Sequence, residues 1–493
     1  RTHVLSLPLS ISINIVYVAS LKQMTSKATS IVTTYKQKHI MGATTGTTVR
    51  VVSGRMVQPP SGGGGTPSED IHLTPWDLRL LTIYYIQMGI VLPKPPVGGK
   101  SLVDALASSL ARTLVRYYHF AGRLAVEELG DGTVTVSLRC TGEGAELVHA
   151  EAPGVAVADL VGSVHTSSPV DPAFFSLSGV LNGDAAIQSL PVLSAQVTEL
   201  ADGVFIAVSM NHSVGDGTNF WDLFNTWSEI HRGGDVNNTT PLLHGRWFVE
   251  TSPVPIPLPL SKLQHVLQRF HLPPVREAFF TFSAASVKKL KARANEEMAT
   301  NAISSLQALL AHLWRAVCRA RRVPKGQETF YVLVIGCRGR VHGVAPGYVG
   351  SALVVGRAVC AAGEVQDKGL GWTAWQLNRT VASFDEATLR EFLDRWIREP
   401  TFPYSKDLSA GGGLEISNSP LFDVFGNDFG WGRPLGVRSG FGADDKSDGK
   451  ATVFEGPEGE GSMSLEVCLA PDVLERLLAD HEFMDAVTLP LPA

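Results

Sequence analysis

Leu102, Leu106, Leu110 and Leu114 recur every four residues in "SLVDALASSLARTLVRYY". That spacing puts them on one face of a helix, predicts a buried stripe, and leaves Ser101 to cap the start. The period then falls to two. "GRLAVEELGDGTVTVSLRC" alternates Val134 and Val136 with polar residues after a turn at Gly130-Asp131-Gly132, and so reads as a hairpin. Two further strands, Leu193–Leu200 and Val204–Met210, flank an Ala-Asp-Gly turn. The second is almost unbroken apolar sequence, as a strand covered on both faces requires. Helical spacing resumes at Phe220, Leu223, Phe224, Trp227 and Ile230, with Thr218 or Asp216 available as cap. Gly215 and Gly217 are expected to give this strand-to-helix connection its freedom to turn.

Residues 233–275 are rich in proline and poor in periodicity, which predicts an interdomain crossover. Beyond it come a strand, "REAFFTFS", a basic helix, "AASVKKLKARANEE", capped by Ser283, and a longer helix, "SSLQALLAHLWRAVCRARR". The apolar strand "TFYVLVIGCRGR" leads out to Arg338 and Arg340. Late in the chain Met463, Leu465, Val467 and Leu469 alternate with Ser464, Glu466 and Cys468, which predicts a half-buried strand before a final helix. Strands and helices mixed in two halves predict an α/β fold with no internal repeat. A length of 493 residues points to two domains, expected at 41–232 and 276–493.

"VLSLPLSISINIVYVAS" near the start alternates apolar with polar residues, unlike the solid apolar run of a secretory signal. Residues 1–40 are expected to be a disordered leader or an upstream translated segment, with Met41 or Met24 as the physiological start. No run of eighteen apolar residues predicts a membrane span. With 44% hydrophobic and 18% charged residues and a net charge of −5, the chain reads as a soluble globular protein that does not bind nucleic acid. Five scattered cysteines without a CxxC pair suggest neither a disulfide framework nor a metal cluster, and fit a cytoplasmic protein.

Three stretches place a histidine four residues before an aspartate: "HSVGD" (His212, Asp216), "HRGGD" (His231, Asp235) and "HEFMD" (His481, Asp485). Among 14 histidines such a pair arises by accident, so context must choose. The second falls in a Gly-Gly turn before polar sequence. The third belongs to the C-terminal helix, where i and i+4 side chains share a solvated face. Only the first is delivered by a rigid buried strand, which can hold a base in fixed geometry.

"FGNDFGWGRP" (Phe425 to Pro434) together with His212-x-x-x-Asp216-Gly217 resembles the paired signatures of the plant BAHD acyl-CoA-dependent acyltransferases. "HLTPWDLRLL", "YYHFAGRL" and "GCRGR" extend the likeness from about Val49 to near the C-terminus. Asp428-Phe429-Gly430 alone would also suit a kinase, but no HRD-type loop or VAIK-type lysine accompanies it. The resemblance implies a two-domain fold like that of chloramphenicol acetyltransferase, with mixed sheets and a solvent channel between the domains. It implies His212 as general base and Asp216 as a carboxylate turned away from substrate toward an arginine, Arg338 first and Arg340 second. Asp428, Phe429, Gly430, Trp431 and Gly432 would form a structural loop on the CoA side. Acyl-CoA would be a co-substrate, a small-molecule alcohol or amine the acceptor, and the enzyme a monomer without metal or bound cofactor. Ser286, Lys288 and Lys289, at the start of the basic helix, offer charge and backbone N–H groups to CoA phosphates, or else form a solvated face. The same fold repurposed as a lyase, or as a ligand-binding protein without turnover, is the alternative.

Two departures from the family pattern stand out. "EISNSPLFDVFGN" lacks the tryptophan often found some ten residues before the DFGWG loop, and Ser351 in "GYVGS" stands where asparagine is common.

Overall fold

Leu193–Leu200 and Gly203–Met210 pair antiparallel around the predicted turn, and every residue of the second strand is buried at the centre of a six-stranded sheet. The computed structural model describes residues 49–60, 69–161, 170–234, 241–404, 406–407, 412–440, 446–459 and 461–488. The expected leader at 1–40 and Asp235 lie outside them. In chain order the described strands are β1 (Arg50–Val57), β2 (Asp70–His72), β3 (Ile86–Pro93), β4 (Arg123–Glu128), β5 (Val134–Arg139), β6 (Ala145–Ala152), β7 (Leu193–Leu200) and β8 (Gly203–Met210). They continue as β9 (Arg276–Phe282), β10 (Glu328–Gly336), β11 (Leu353–Ala361), β12 (Leu414–Ser417), β13 (Gly436–Ser439), β14 (Lys450–Glu455) and β15 (Met463–Leu469).

One mixed sheet has the order β1-β6-β7-β8-β3-β13, and a second has the order β11-β10-β12-β14-β15-β9. The predicted hairpin, β4 with β5, joins β2 in a small third sheet. The helices α1 (Gly99–Arg116) and α2 (Gly217–His231) pack against each other, tied where the Trp227 indole N–H donates to Leu106 O at 3.2 Å and Ser109 Oγ at 3.0 Å. On the second sheet lie α3 (Ala284–Glu297), α4 (Ser305–Ala320) and α5 (Gly369–Ala382), sharing its apolar core.

The leucine stripe of α1 is buried as predicted, but the helix starts three residues early and Ser101 does not cap it. The Glu199 carboxylate accepts the Gly99 N–H instead, at 2.9 and 3.0 Å, so a neighbouring strand supplies the negative end. β15 departs further from its pattern. All seven residues are buried, because the face carrying Ser464, Glu466 and Cys468 is covered by Arg438 and Lys446. Arg438 belongs to β13, which lies in the expected C-terminal half yet hydrogen-bonds to β3 of the first sheet. The chain therefore returns across the division that its order along the sequence suggests. Its buried charges are matched there: Arg438 donates to Glu277 at 3.0 Å, and Lys446 contacts the same carboxylate.

Candidate active site

β8 ends at Met210, and two asparagines fix the turn into His212. Asn211 Nδ2 donates to the Asn182 carbonyl at 3.0 Å, and the Asn182 side-chain oxygen accepts the His212 backbone N–H at 2.8 Å. His212 is half-buried. Its Nδ1 lies 3.1 Å from the Gly215 carbonyl and 3.3 Å from Ser351 Oγ, while the Ser351 hydroxyl donates to the His212 carbonyl at 2.7 Å. A carbonyl only accepts, so Nδ1 carries the proton and the lone pair sits on Nε2, which has no hydrogen-bond partner among the described residues. Burial pushes the imidazole pKa below its usual value of about 6.5, against the opposing pull of the nearby Asp216 charge. The ring is thus neutral and able to accept a proton.

Asp216 caps α2, accepting the backbone N–H groups of Thr218 at 3.1 Å and Asn219 at 3.5 Å through one oxygen. The other oxygen takes Arg338 Nη1 at 2.5 Å and the Ala352 N–H at 3.0 Å. Burial alone would raise this carboxyl's pKa, but the guanidinium and these N–H donors outweigh it and hold the value below the usual range. Arg338 is fully engaged: it also donates to the carbonyls of Tyr348 at 3.0 Å and Gly350 at 2.9 Å, and to Asn219 Oδ1 at 3.3 Å. Neither charge points outward as a substrate contact. Together they lock the end of β8 and the start of α2 onto the segment after β10.

Arg340 is exposed and reaches the Phe384 carbonyl instead, at 3.5 Å, so Arg338 is the partner of Asp216. Gly215 and Gly217 differ from expectation, since neither has a positive φ. Space is what they provide. A Cβ at Gly217 would lie 3.0 Å from the Phe422 ring, and one at Gly215 3.2 Å from that of Phe120. Phe422 belongs to the stretch that lacks the family's tryptophan, and so an aromatic ring still packs beside the motif.

The second signature lies at the opposite end of α2. Phe429 is buried against Phe224, Trp227 and His231, and Trp431 stands edge-on to His231 at 5.5 Å. Asp428 Oδ1 accepts the N–H groups of Gly430 at 2.7 Å and Gly432 at 3.1 Å, and both glycines have positive φ. At 1.5 Å per residue, α2 separates this loop from Asp216 by roughly 20 Å. Its ring contacts go to the helix end. Phe429→Ala is therefore expected to cost about 3–5 kcal/mol of stability, while any activity is retained per folded molecule; thermal unfolding alongside turnover checks this.

His231 bonds to Ser109 Oγ at 2.9 Å, with Asp235 outside the described residues, and His481 and Asp485 are both exposed, so this last pair is not built like the first. Ser286, Lys288 and Lys289 sit in the first turns of α3, with both lysines exposed. β9, which feeds α3, runs in the same direction as β10, because β10, β12 and β14 are parallel and β15 reverses twice. The start of α3 thus lies at the same end of the sheet as Arg338, four strand spacings of about 4.8 Å away, or roughly 19 Å. Asn182, Asn219, Asp77 and Arg246, which join the site, had no role in the sequence reading, and Ser351 entered it only as a departure from the family pattern. Asn182 and Arg246 lie in stretches without a recognisable pattern, whereas Asp77 lies inside "HLTPWDL". Among the described residues one trio, His149, Glu151 and Glu199, brings metal-ligand atoms together. Its members are engaged elsewhere: Glu199 with His149 at 2.7 Å and with Gly99, and Glu151 with Arg50. No described helix is long and apolar enough to cross a membrane.

Comparison with known proteins agrees with this architecture. The profile of the Transferase family matches residues 47–484. An uncharacterised acetyltransferase of Arabidopsis thaliana is 36% identical over 429 residues, covering 85% of this chain and 94% of its own. The BAHD acyltransferase DCR, from the same plant, is 28% identical over 456 residues, 88% of this chain and 92% of its own. The solved structure of F. graminearum TRI101 complexed with ethyl coenzyme A superposes with a TM-score of 0.66 at 17% identity, over 85% of this chain and 99% of that one. The two-domain α/β fold with mixed sheets, expected from the sequence, is thus the one observed. The chain belongs to the Transferase family, that of the BAHD acyltransferases.

Proposed function

We propose that this acyltransferase moves an acyl group from acyl-CoA to a hydroxyl or amine of a plant specialised metabolite or surface-lipid precursor, by direct transfer with His212 as general base. One observation carries the reading: a carbonyl faces His212 Nδ1, so the basic lone pair lies on Nε2. Nε2 takes the acceptor proton while the acceptor oxygen or nitrogen bonds to the thioester carbonyl carbon. As the tetrahedral intermediate collapses, the C–S bond breaks and the proton passes from Nε2 to the leaving thiolate. The thioester is already activated, so no covalent enzyme intermediate is needed.

The test is CoA-thiol release from a panel of acyl-CoA donors against pooled plant alcohols and amines. Release that depends on the acceptor supports transfer. Acceptor-independent release would be thioester hydrolysis and count against transfer, whereas no release by a folded protein would favour the lyase, or the binding-only alternative where CoA still binds.

We assign CoA phosphates to the start of α3, on the strength of its free charges and its place at the same end of the sheet as Arg338. Converting both Lys288 and Lys289 to glutamate is expected to raise KM for acyl-CoA about tenfold with kcat at saturation unchanged, an effect that shrinks as salt is added. An unchanged KM at low salt would return these lysines to a solvated face.

A further inference from the structure

The segment Tyr348 to Ala352 is held through its backbone by two buried ion pairs rather than one. Asp216 takes the Ala352 N–H, and Arg338 the carbonyls of Tyr348 and Gly350. On the other side Asp77 Oδ1 takes the Ser351 N–H at 2.9 Å, and Arg246 donates to the Val349 carbonyl. Arg246 also donates to the Val214 carbonyl at 3.1 Å, inside the His212–Asp216 turn itself. Both side chains are almost completely buried.

This second pair also serves its neighbours. Arg246 Nε lies 3.8 Å from Asp77 Oδ2 and makes no hydrogen bond, whereas the short contacts of both groups go to backbone and to Thr74. Burial opposes the Arg246 charge, and the Asp77 carboxylate leads the groups that more than offset it. The pair sets the position of Ser351 relative to His212. Gly350, at φ +130°, is part of the same design: a Cβ there would fall on the Arg246 guanidinium. Trp76 and Trp247, the neighbours of the two charged residues, stack at 5.4 Å and fix the approach.

Ser351 gives its only hydroxyl proton to the His212 carbonyl, so its oxygen presents lone pairs to Nδ1. With the Gly215 carbonyl, this makes two acceptors at one nitrogen. We propose that Asp77 and Arg246 act through Ser351 as a positioning device for His212, fixing the imidazole in the tautomer and orientation that leave Nε2 as the base. The inference rests on the general-base reading above and names three residues, from three distant parts of the chain, that serve it.

The test compares wild type, His212→Ala, Ser351→Ala, Ser351→Asn and Asp77→Asn in thiol release, with circular dichroism to verify folding. Ser351→Ala is expected to lower kcat about tenfold with both KM values within about twofold, since neither substrate is touched. The acid limb of its kcat/KM profile should move to lower pH, because an acceptor that stabilises the imidazolium is gone. The charged groups around that imidazole, Asp216, Arg338, Asp77 and Arg246, all remain in this variant. Ser351→Asn supplies both a donor and an acceptor and should recover most of kcat. Asp77→Asn keeps an acceptor for the Ser351 N–H but removes the charge, and should fall between the two. If it fails to fold, Ser351→Ala decides alone, because that change removes one oxygen and leaves the ion pair standing. Wild-type kcat and an unmoved acid limb in Ser351→Ala, with turnover lost in His212→Ala, would overturn the positioning role and leave the general base intact. Turnover indifferent to His212→Ala would overturn both.

Discussion

Replacing His212 with alanine is expected to lower kcat by two to four powers of ten, the usual range for losing general-base help. KM for acyl-CoA should barely change, since the proton that Nε2 takes belongs to the acceptor and the contacts proposed for the CoA phosphates lie at the start of α3, roughly 19 Å away across the sheet. Folding should persist as well, because only the Nδ1 contacts are lost and the backbone bonds remain. The pH profile supplies a second check. Burial depresses the His212 pKa, so the neutral ring predominates down to below about pH 6.5 and the acid limb of wild-type kcat/KM lies under that value. The linkage has the matching sign. A histidine with a depressed folded pKa favours the native state above its unfolded pKa, and that contribution is lost as pH falls through the folded value. The alanine variant should lose both the acid limb and this part of the acid sensitivity of folding. A variant that keeps wild-type kcat with an unchanged profile would remove His212 from the proton transfer.

How much of this was legible in the chain depended on whether the signal was local. The leucine stripe of α1, the hairpin before His212 and the Asp216 cap are written in spacing, and the structure has all three. Ser101 misled because a strand 100 residues away supplies a carboxylate to the helix start. β15 misled because alternation reports only that two faces differ, and here the polar face is covered by buried charges rather than water. Arg246 illustrates the deeper limit. It lies in a proline-rich stretch that reads as a connector, and its meaning exists only where that stretch crosses both the His212 turn and the loop at Ser351. Asp216 could be paired with a particular arginine only in three dimensions, since Arg338 and Arg340 leave the same strand two residues apart and only one side chain turns inward.

The largest effect on stability is expected at Asp216. Asp216→Ala strands the Arg338 guanidinium in a buried site and is expected to cost about 3–5 kcal/mol, the range for removing one partner of a buried pair. The lost cap of α2 would by itself cost about 1 kcal/mol, but the two losses share one carboxylate and should not simply add. Turnover should fall as well, although this carboxylate faces Arg338 and the backbone, because the turn that aims His212 loses its anchor to Ala352. Asp216→Asn separates charge from shape. It keeps an oxygen for the Thr218 N–H and the outline of the side chain, so helix capping should survive while the ion pair does not. The pH dependence distinguishes the two further. Since Asp216 titrates below its unfolded value of about 3.9, its ionised form stabilises the native state above that pH. That contribution is lost as pH falls through the depressed folded value. Denaturant titrations from pH 7 down to pH 3 should therefore show the wild type losing its advantage over Asp216→Asn as the solution is acidified. Equal stability of the two proteins at neutral pH would mean that the Arg338 pair only breaks even against its desolvation. The role of Asp216 would then be confined to aiming the turn, and the loss of kcat alone would measure it.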